Sequence, residues 1–354
     1  MGNPQLTDGK IVRSENPPNL EMPFTKLGDF VTPTDLFYVR AHFPVPKIDR
    51  SKWRLRVEGE VERPFEIGYD ELVGLASRSM PVTLECAGNN RIFLEPKVKG
   101  VQWELGAVGN AEWTGVPLSL LLERAGVKAN ALEVILEGAD AGPLAEPKGP
   151  PGDVRFARSI PLPKACHDVL LVHRMNGEEL HPEHGFPLRA VVPGWYAMAS
   201  VKWLQRIIVT DAPYNGYYQT LDYAYWSEID GLAKLTPLSN MQLKAEIAYP
   251  PTDAILPAAT NIRIFGAAWG GDVAKVEVSV DGGMEWTVAR LIDEARPNAW
   301  RRWDLDWTTP PQPGRCVLMA RATDKDGRGQ PTEHDPNRGT YMINHILPIE
   351  VRVA

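Results

Sequence analysis

The chain has 354 residues, enough for two domains, and its 44% hydrophobic and 23% charged residues are typical of a folded globular protein. The net charge of −7 does not favour non-specific nucleic-acid binding, which needs a basic surface. No apolar stretch is long enough for a membrane span, and the N-terminus has no secretory or twin-arginine signal. We therefore expect a cytoplasmic protein, or a periplasmic one if a leader was removed.

The first two thirds of the chain predict many short strands and few helices, because Pro and Gly recur between β-branched and aromatic runs. Pro117, a leucine stripe and Gly126 predict a helix over 117–127. A shorter helix is predicted over 69–76. Strands are predicted over 53–59, 132–138 and 201–210.

The sequence changes character between residues 235 and 242. Alternating polar and apolar residues then predict only strands, separated by turn signals such as Asp-Gly-Gly, at the spacing of an all-β sandwich. These strands cover 245–250, 261–269, 275–283, 285–291, 301–307 and 316–324. The expected fold class is therefore α+β, with an α/β domain over 1–238 and an all-β domain over 239–354.

Cys86 lies in the most informative segment, VTLECAGNNR (82–91). A strand-like run ends at Glu85, and Cys86 is followed by small residues, two amides and Arg91. Small residues allow a bulky group close to the sulfur, and Arg91 offers positive charge for an anion. A lone cysteine is more often a buried core residue, but a core position does not need the Gly-Asn-Asn-Arg that follows. Cys166 and Cys316 are far away in sequence, so neither a zinc site nor a disulfide framework is expected.

Three other segments place positive charge and aromatic rings among apolar residues. They contain Arg40 and His42, then His184 and Arg189, then Lys202. Each is alternatively a solvated edge-strand residue or a long side chain reaching the surface. Together they provide the donors that an anionic cofactor needs, whereas no glycine-rich nucleotide motif, nucleophile elbow or zinc-protease motif is present.

These segments resemble signatures of the sulfite oxidase family of molybdenum enzymes. The resemblance extends from about Val31 to the C-terminus and rests on several motifs in the same order: 31–46, 83–91, 99–103, 183–197, 200–204, 279–283 and 336–339. It implies a sulfite-oxidase-type molybdopterin-binding domain followed by an immunoglobulin-like domain that forms a homodimer.

The resemblance also implies a role for individual residues. Cys86 would be the thiolate ligand of molybdenum, which suits a soft metal. The cofactor, one molybdenum–molybdopterin per chain, would be bound by Tyr38, Val39, Arg40, Ala41, His42, Asp140, His184, Arg189, Ser200, Val201 and Lys202. The substrate pocket would be lined by Arg40, Arg91, Trp103, Tyr223 and Arg338, with Lys99 close by.

The activity implied by the resemblance is oxidation of sulfite to sulfate, in which sulfite attacks an equatorial oxo group of Mo(VI) in an Arg-lined pocket. The segment before Val31 is too short for a haem domain, so we expect no haem and an external electron acceptor, either oxygen or a cytochrome c-type carrier. Asn90 departs from many relatives, which carry another Arg there. The alternatives are a reductase of sulfoxides or nitrate from the same superfamily, and a non-catalytic immunoglobulin-like binding module.

Overall fold

The fold was obtained as a computed structural model, which describes residues 6–7, 9–144 and 152–354. The strands of the first part are β1 (Leu6–Thr7), β2 (Lys10–Ser14), β3 (Asn19–Glu21), β4 (Val39–Arg40), β5 (Arg54–Gly59), β6 (Phe65–Gly68), β7 (Arg78–Glu85), β8 (Val108–Pro117), β9 (Glu133–Gly142), β10 (Val154–Pro161), β11 (Leu170–Met175), β12 (Glu178–Glu179), β13 (Arg189–Val191), β14 (Leu204–Thr210), β15 (Ala224–Ile229) and β16 (Leu232–Pro237).

The second part contains strands but no α-helix among its described residues. Its strands are β17 (Lys244–Tyr249), β18 (Ile255–Leu256), β19 (Asn261–Trp269), β20 (Val273–Ser279), β21 (Thr287–Val288), β22 (Arg290–Leu291), β23 (Arg301–Thr308), β24 (Gly314–Asp324) and β25 (Ile349–Val353). The α-helices lie earlier, and are α1 (Tyr69–Val73), α2 (Leu118–Ala125), α3 (Leu162–His167) and α4 (Tyr217–Thr220). Short 3-10 helices are formed by Phe24–Lys26, Arg91–Phe93, Pro182–His184, Ala197–Ala199 and Pro336–Arg338.

Helix α2 shows how local sequence sets an element's bounds. Pro117 directly precedes it, and the leucine stripe is buried, as expected for an amphipathic helix. Gly126 ends it with a φ of 70°, which glycine adopts without strain, and donates its N–H to the last turn. The shorter helix α1 ends before Gly74 instead of continuing to residue 76.

Two larger sheets organise the first part. One has the strand order β10-β9-β14-β5-β6, and the other has the order β12-β11-β8-β7 with β13 paired to β11. Only the β14–β5 pair in the first sheet is parallel. The main apolar core lies around the first sheet, and a separate cluster that includes Trp113 and Leu84 packs against the second.

The second part is a sandwich of two sheets with orders β17-β19-β23-β22 and β18-β25-β24-β20-β21. Residues of both sheets share one core, for example Ile264 and Trp303 from the first and Val276 and Leu318 from the second. The mixed α/β region followed by this sandwich confirms the predicted α+β fold class. The predicted strand over 285–291 is instead two short strands, β21 in one sheet and β22 in the other, because the chain changes sheets at the buried Ala289.

Strand β7 joins the two parts, because its residues alternate between two environments. Val82, Leu84 and the following Cys86 belong to the apolar cluster of the first part. Thr83 points the other way and accepts a hydrogen bond from Trp300 N (2.8 Å) in the second part. Glu85, on the same side as Thr83, accepts a hydrogen bond from Trp269 Nε1 (2.9 Å).

A buried charge cluster lies at this junction. Lys244 Nζ of β17 lies 2.8 Å from Glu85 Oε1 and 3.2 Å from Glu246 Oε1, and all three side chains are buried. Lys244 and Glu246 share one face of β17, while Ala245 and Ile247 on the other face enter the sandwich core. Burial raises the pKa of Glu246 to about 7, although the Lys244 ammonium opposes this effect.

None of the helices in the described ranges is long and apolar enough to cross a membrane.

We predict that Leu136→Ala destabilises the protein by about 2–5 kcal/mol, because Leu136 is fully buried on β9 and truncation of its side chain leaves a cavity. Leu132→Ala is the matched control, since Leu132 is 53% exposed, and it should change stability by only about 0.5 kcal/mol. The midpoint of denaturant unfolding measures both. Equal effects of the two substitutions would contradict the placement of β9.

A second prediction concerns Glu246 and pH. Its pKa is raised on folding, so the folded state binds more protons than the unfolded chain between pH 4.5 and about 7. Stability contributed by this carboxyl is therefore lost as pH rises through that window. As pH rises through this window, the free energy of unfolding of the wild type should fall by on the order of 1–3 kcal/mol relative to that of Glu246→Gln. Denaturant unfolding at several pH values measures the difference. A pH-independent difference between the two proteins would show that Glu246 is not buried as described.

Candidate active site

Cys86 lies directly after β7, in a turn whose geometry depends on the small and amide residues that follow it. Its backbone N–H donates to Ala107 O (2.9 Å), and its carbonyl accepts from Asn89 N (2.9 Å). Asn90 has a φ of 72°, in the left-handed region that Asn tolerates better than most residues. Gly88 leaves room for the Arg91 guanidinium, since a Cβ at this position would lie 2.0 Å from Nη2 of Arg91 and would displace it. The turn presents the Cys86 side chain, which is only 6% exposed, to an internal cavity.

The cavity beside Cys86 brings together segments that are far apart in sequence. The space open to the centre of a water molecule is about 70 Å³, and the empty space up to the surrounding atoms, with the adjoining solvent included, is about 660 Å³. Eleven of its lining residues were expected from the sequence to bind the cofactor or the metal: Tyr38, Arg40, Ala41, His42, Cys86, Asp140, His184, Arg189, Ser200, Val201 and Lys202. Tyr223 lines the same cavity. Val39, which is buried on the same strand as Arg40, is not among the lining residues.

The basic side chains of the cavity are held by backbone carbonyls. Arg189 donates to His184 O and Ser200 O (both 3.1 Å), and its guanidinium lies 4.9 Å from the Trp113 ring centroid. Lys202 donates to Glu183 O (2.8 Å). These contacts fix the direction of each cation without neutralising it, so both remain available to an anion.

Asp140 and Lys202 form an oppositely charged pair within electrostatic reach of each other in this cavity. Burial raises the pKa of Asp140 to about 6 and lowers that of Lys202 to about 7, and their mutual attraction opposes both shifts. Oδ1 of Asp140 is buried and has no hydrogen-bond partner among the described residues. An unpaired buried acceptor is costly, so this oxygen fits a ligand that brings its own N–H donors.

His42 and Tyr223 form a hydrogen-bonded pair next to Arg40, with 2.7 Å between Nε2 and the phenol oxygen. Burial, together with Arg40 and Lys202, holds the pKa of His42 well below its usual value, so the ring is neutral. Burial also raises the pKa of Tyr223, while Arg40 opposes this effect. Tyr223 is therefore a protonated phenol. The His42 ring stacks on Phe156 at 4.6 Å between centroids.

Arg91 lies at the edge of this arrangement and not in the cavity lining. Its Nε donates to Thr340 Oγ1 (2.6 Å) and its Nη1 to Val101 O (2.8 Å), so part of its hydrogen-bonding capacity is used within the protein. Its charge nevertheless acts on Tyr223, whose pKa it lowers slightly against the larger effect of burial. Arg91 is thus placed to act on the cavity through its field.

Three more residues expected at the substrate pocket lie outside the cavity lining. Trp103 is fully buried in the apolar cluster that contains Cys86. The backbone carbonyl of Lys99 accepts a hydrogen bond from Thr340 Oγ1 (3.0 Å). Arg338 lines a different cavity and donates to Asn344 Oδ1 (2.9 Å). Trp103 and Arg338, which were expected to line the substrate pocket, therefore lie outside the lining of the Cys86 cavity, and Lys99 was expected only close to the pocket.

The second part reaches the site through the residues after Arg338. Met342 N donates to Ala87 O (2.9 Å), and Tyr341 lies 5.1 Å from Tyr223 between ring centroids. Sequence reasoning missed Thr340 and Tyr341, although they directly follow the motif at 336–339. It also missed Phe156, Met198 and Glu183 as lining residues. Phe156 and Met198 carry no local signal, because ordinary core positions have the same residue types.

Both parts of the chain are similar to known proteins. The oxidoreductase molybdopterin binding domain matches residues 42–218, and the Mo-co oxidoreductase dimerisation domain matches residues 236–353. The chain is 35% identical to sulfite oxidase from Gallus gallus, covering 95% of this chain and 76% of that protein. It is 33% identical to mitochondrial sulfite oxidase from Homo sapiens, covering 90% and 61%, and 34% identical to NADH nitrate reductase from Solanum lycopersicum, covering 96% and 40%.

The fold is also shared with a solved structure. The sulfane dehydrogenase SoxCD from Paracoccus pantotrophus superposes with a TM-score of 0.82 at 31% identity, covering 95% of this chain and 84% of that chain. From the two domain matches, the sulfite oxidase relatives and the shared fold, the chain belongs to the sulfite oxidase family of molybdenum oxidoreductases.

Proposed function

We propose that this enzyme oxidises sulfite to sulfate at a molybdenum–molybdopterin cofactor in the Cys86 cavity and passes the electrons to an external acceptor. The observation that carries the proposal is that the Cys86 thiol, the Arg40 guanidinium and the Tyr223 phenol line one cavity. A thiolate suits molybdenum, a guanidinium suits a small oxyanion, and a protonated phenol donates a hydrogen bond.

The residues of the cavity fit the cofactor. Lys202 and Arg189 provide positive charge for its phosphate, and the unpaired Oδ1 of Asp140 provides an acceptor for the N–H groups of a pterin. A bound phosphate favours the charged form of Lys202, whose pKa is lowered by burial in the free cavity. When bound, the cofactor supplies oxygen-atom transfer and accepts two electrons. We propose one cofactor per chain.

The residues of the protein attract the anionic substrate and orient it. Arg40 is positioned by Asn19 Oδ1 (3.2 Å), which leaves other N–H groups of its guanidinium for substrate oxygens. Neutral His42 and the Tyr223 phenol share one hydrogen bond. We propose the tautomer in which His42 Nε2 donates to the phenol oxygen, because it leaves the O–H of Tyr223 free to donate to a substrate oxygen. We propose that Arg40 and Tyr223 contact sulfite directly. We also propose that Arg91, Trp103, Lys99 and Arg338 belong to the region around the substrate pocket without lining the Cys86 cavity.

A nitrate or sulfoxide reductase is the competing function, since a nitrate reductase is among the relatives. Steady-state assays decide between them. Sulfite is offered with oxygen, ferricyanide or cytochrome c, and nitrate or a sulfoxide is offered with a reduced dye. The proposal expects turnover with sulfite and one of the acceptors to exceed turnover with nitrate or the sulfoxide. The reverse order would contradict it.

We also propose that residues 1–238 form the catalytic domain and residues 239–354 an immunoglobulin-like domain that makes a homodimer. The sandwich core of the second part and its match to a dimerisation domain support this division. A non-catalytic binding module built on the second part alone would leave the Cys86 cavity unexplained.

We predict that Cys86→Ser lowers sulfite turnover at least about 100-fold, because serine lacks the soft sulfur ligand. The fold should be kept, since the substitution changes little volume. Cys316→Ser is the control, as Cys316 is half-buried in the second part and far from the cavity. Turnover per bound molybdenum and the unfolding midpoint measure the two effects. Full turnover in Cys86→Ser would remove this residue from the site.

A further prediction concerns cofactor retention. Lys202→Met should weaken cofactor binding about tenfold or more, because it removes a charge-assisted contact to the phosphate. Lys128→Met serves as the matched control, since Lys128 pairs with Glu60 (3.3 Å) away from the cavity. Pterin content per purified chain provides the measurement. If both variants retain wild-type pterin content, Lys202 does not bind the cofactor.

A further inference from the structure

A single cation from the second part contacts both ends of the turn that carries Cys86. The Lys244 ammonium lies 2.8 Å from Glu85, the residue before Cys86, and also binds the side-chain oxygen of Asn90, the fourth residue after it. The side chain of Lys244 is 3% exposed and that of Glu85 is 2% exposed. The contacts are therefore shielded from water and strong.

From this geometry we propose that Lys244 is a positioning residue that fixes the Cys86 turn, so that the thiol faces the cavity in one orientation. The proposal builds on the proposed function, in which Cys86 binds molybdenum. It assigns to β17, a strand of the sandwich, a direct part in shaping the catalytic site.

No other described donor to Glu85 can replace the positive charge of Lys244. Glu85 also accepts from Trp269 Nε1 (2.9 Å) and Asn89 Nδ2 (3.3 Å), but both of these donors are neutral. Within the described residues, Lys244 is the cation in salt-bridge contact with Glu85 and Glu246. Its loss would leave two carboxyl groups facing each other in a dry site, which is strongly unfavourable.

The backbone of the turn explains why this anchoring matters. Asn90 sits in the left-handed region, and Gly88 allows the close approach of Arg91, so the turn is held in an uncommon shape. Asn90 N donates to Glu104 O (2.8 Å), which fixes its backbone. Lys244 adds the side-chain contact that ties this residue back to Glu85. Without it, we expect the turn to sample other arrangements and to expose the thiol.

The test is the rate of Cys86 alkylation by iodoacetamide in the full-length, cofactor-free chain, with Cys166→Ser and Cys316→Ser as background. Lys244→Met should raise this rate about tenfold, because opening of the turn becomes easier. Lys244→Arg, which keeps the charge, should restore most of the protection. Lys164→Met is the matched control: it breaks a partly buried pair with Asp168 (2.8 Å) away from the turn and should leave the rate unchanged.

Asn90→Gly provides a second variant in case Lys244→Met does not fold. Glycine keeps the left-handed backbone but removes the oxygen that Lys244 binds, so the alkylation rate should again rise several-fold. The proposal is overturned if folded Lys244→Met or Asn90→Gly protects Cys86 as well as the parent does, or if Lys164→Met has the same effect. Because alkylation needs neither cofactor nor turnover, a failure of the proposed sulfite activity would leave this result readable.

Discussion

The alternation of side chains along β7 is the constraint on which the site depends. Cys86 and the apolar residues two and four positions before it face the cluster beside the cavity, whereas Glu85 and Thr83 face the sandwich. One strand end therefore presents the thiol and at the same time anchors the second part of the chain. A shift of register by one residue would bury a carboxylate in the apolar cluster and turn the thiol away from the cavity.

The cavity combines positive charge with burial. Its cations are directed by backbone carbonyls, and burial holds the pKa of both its histidines, His42 and His184, well below the usual value. The positive charge therefore lies on Arg40 and Arg189, and on Lys202 when a bound anion favours its charged form. In a protein of net charge −7, this local concentration is what draws anions into one place. The same burial that makes the charges costly also strengthens their interaction with a bound phosphate or oxyanion.

Much of the site was predictable from the sequence, because Cys86, Arg40, His184 and Lys202 each stand in a segment with a local signal. What local patterns do not contain is contact between distant segments. The sequence predicts that Arg91 is a free cation next to Cys86, but in the structure it donates to Thr340, 249 residues away in sequence. The alternating sequence of β17 predicts an ordinary half-exposed strand, whereas in the structure its polar face is buried against the end of β7.

The proposed activity depends on Cys86 providing a sulfur ligand to molybdenum. X-ray absorption at the molybdenum edge counts the sulfur neighbours of the metal, and the decisive comparison is between the purified enzyme and its Cys86→Ser variant. We expect one sulfur neighbour fewer in the variant, with the pterin sulfurs retained. The same sulfur count in both proteins would contradict it.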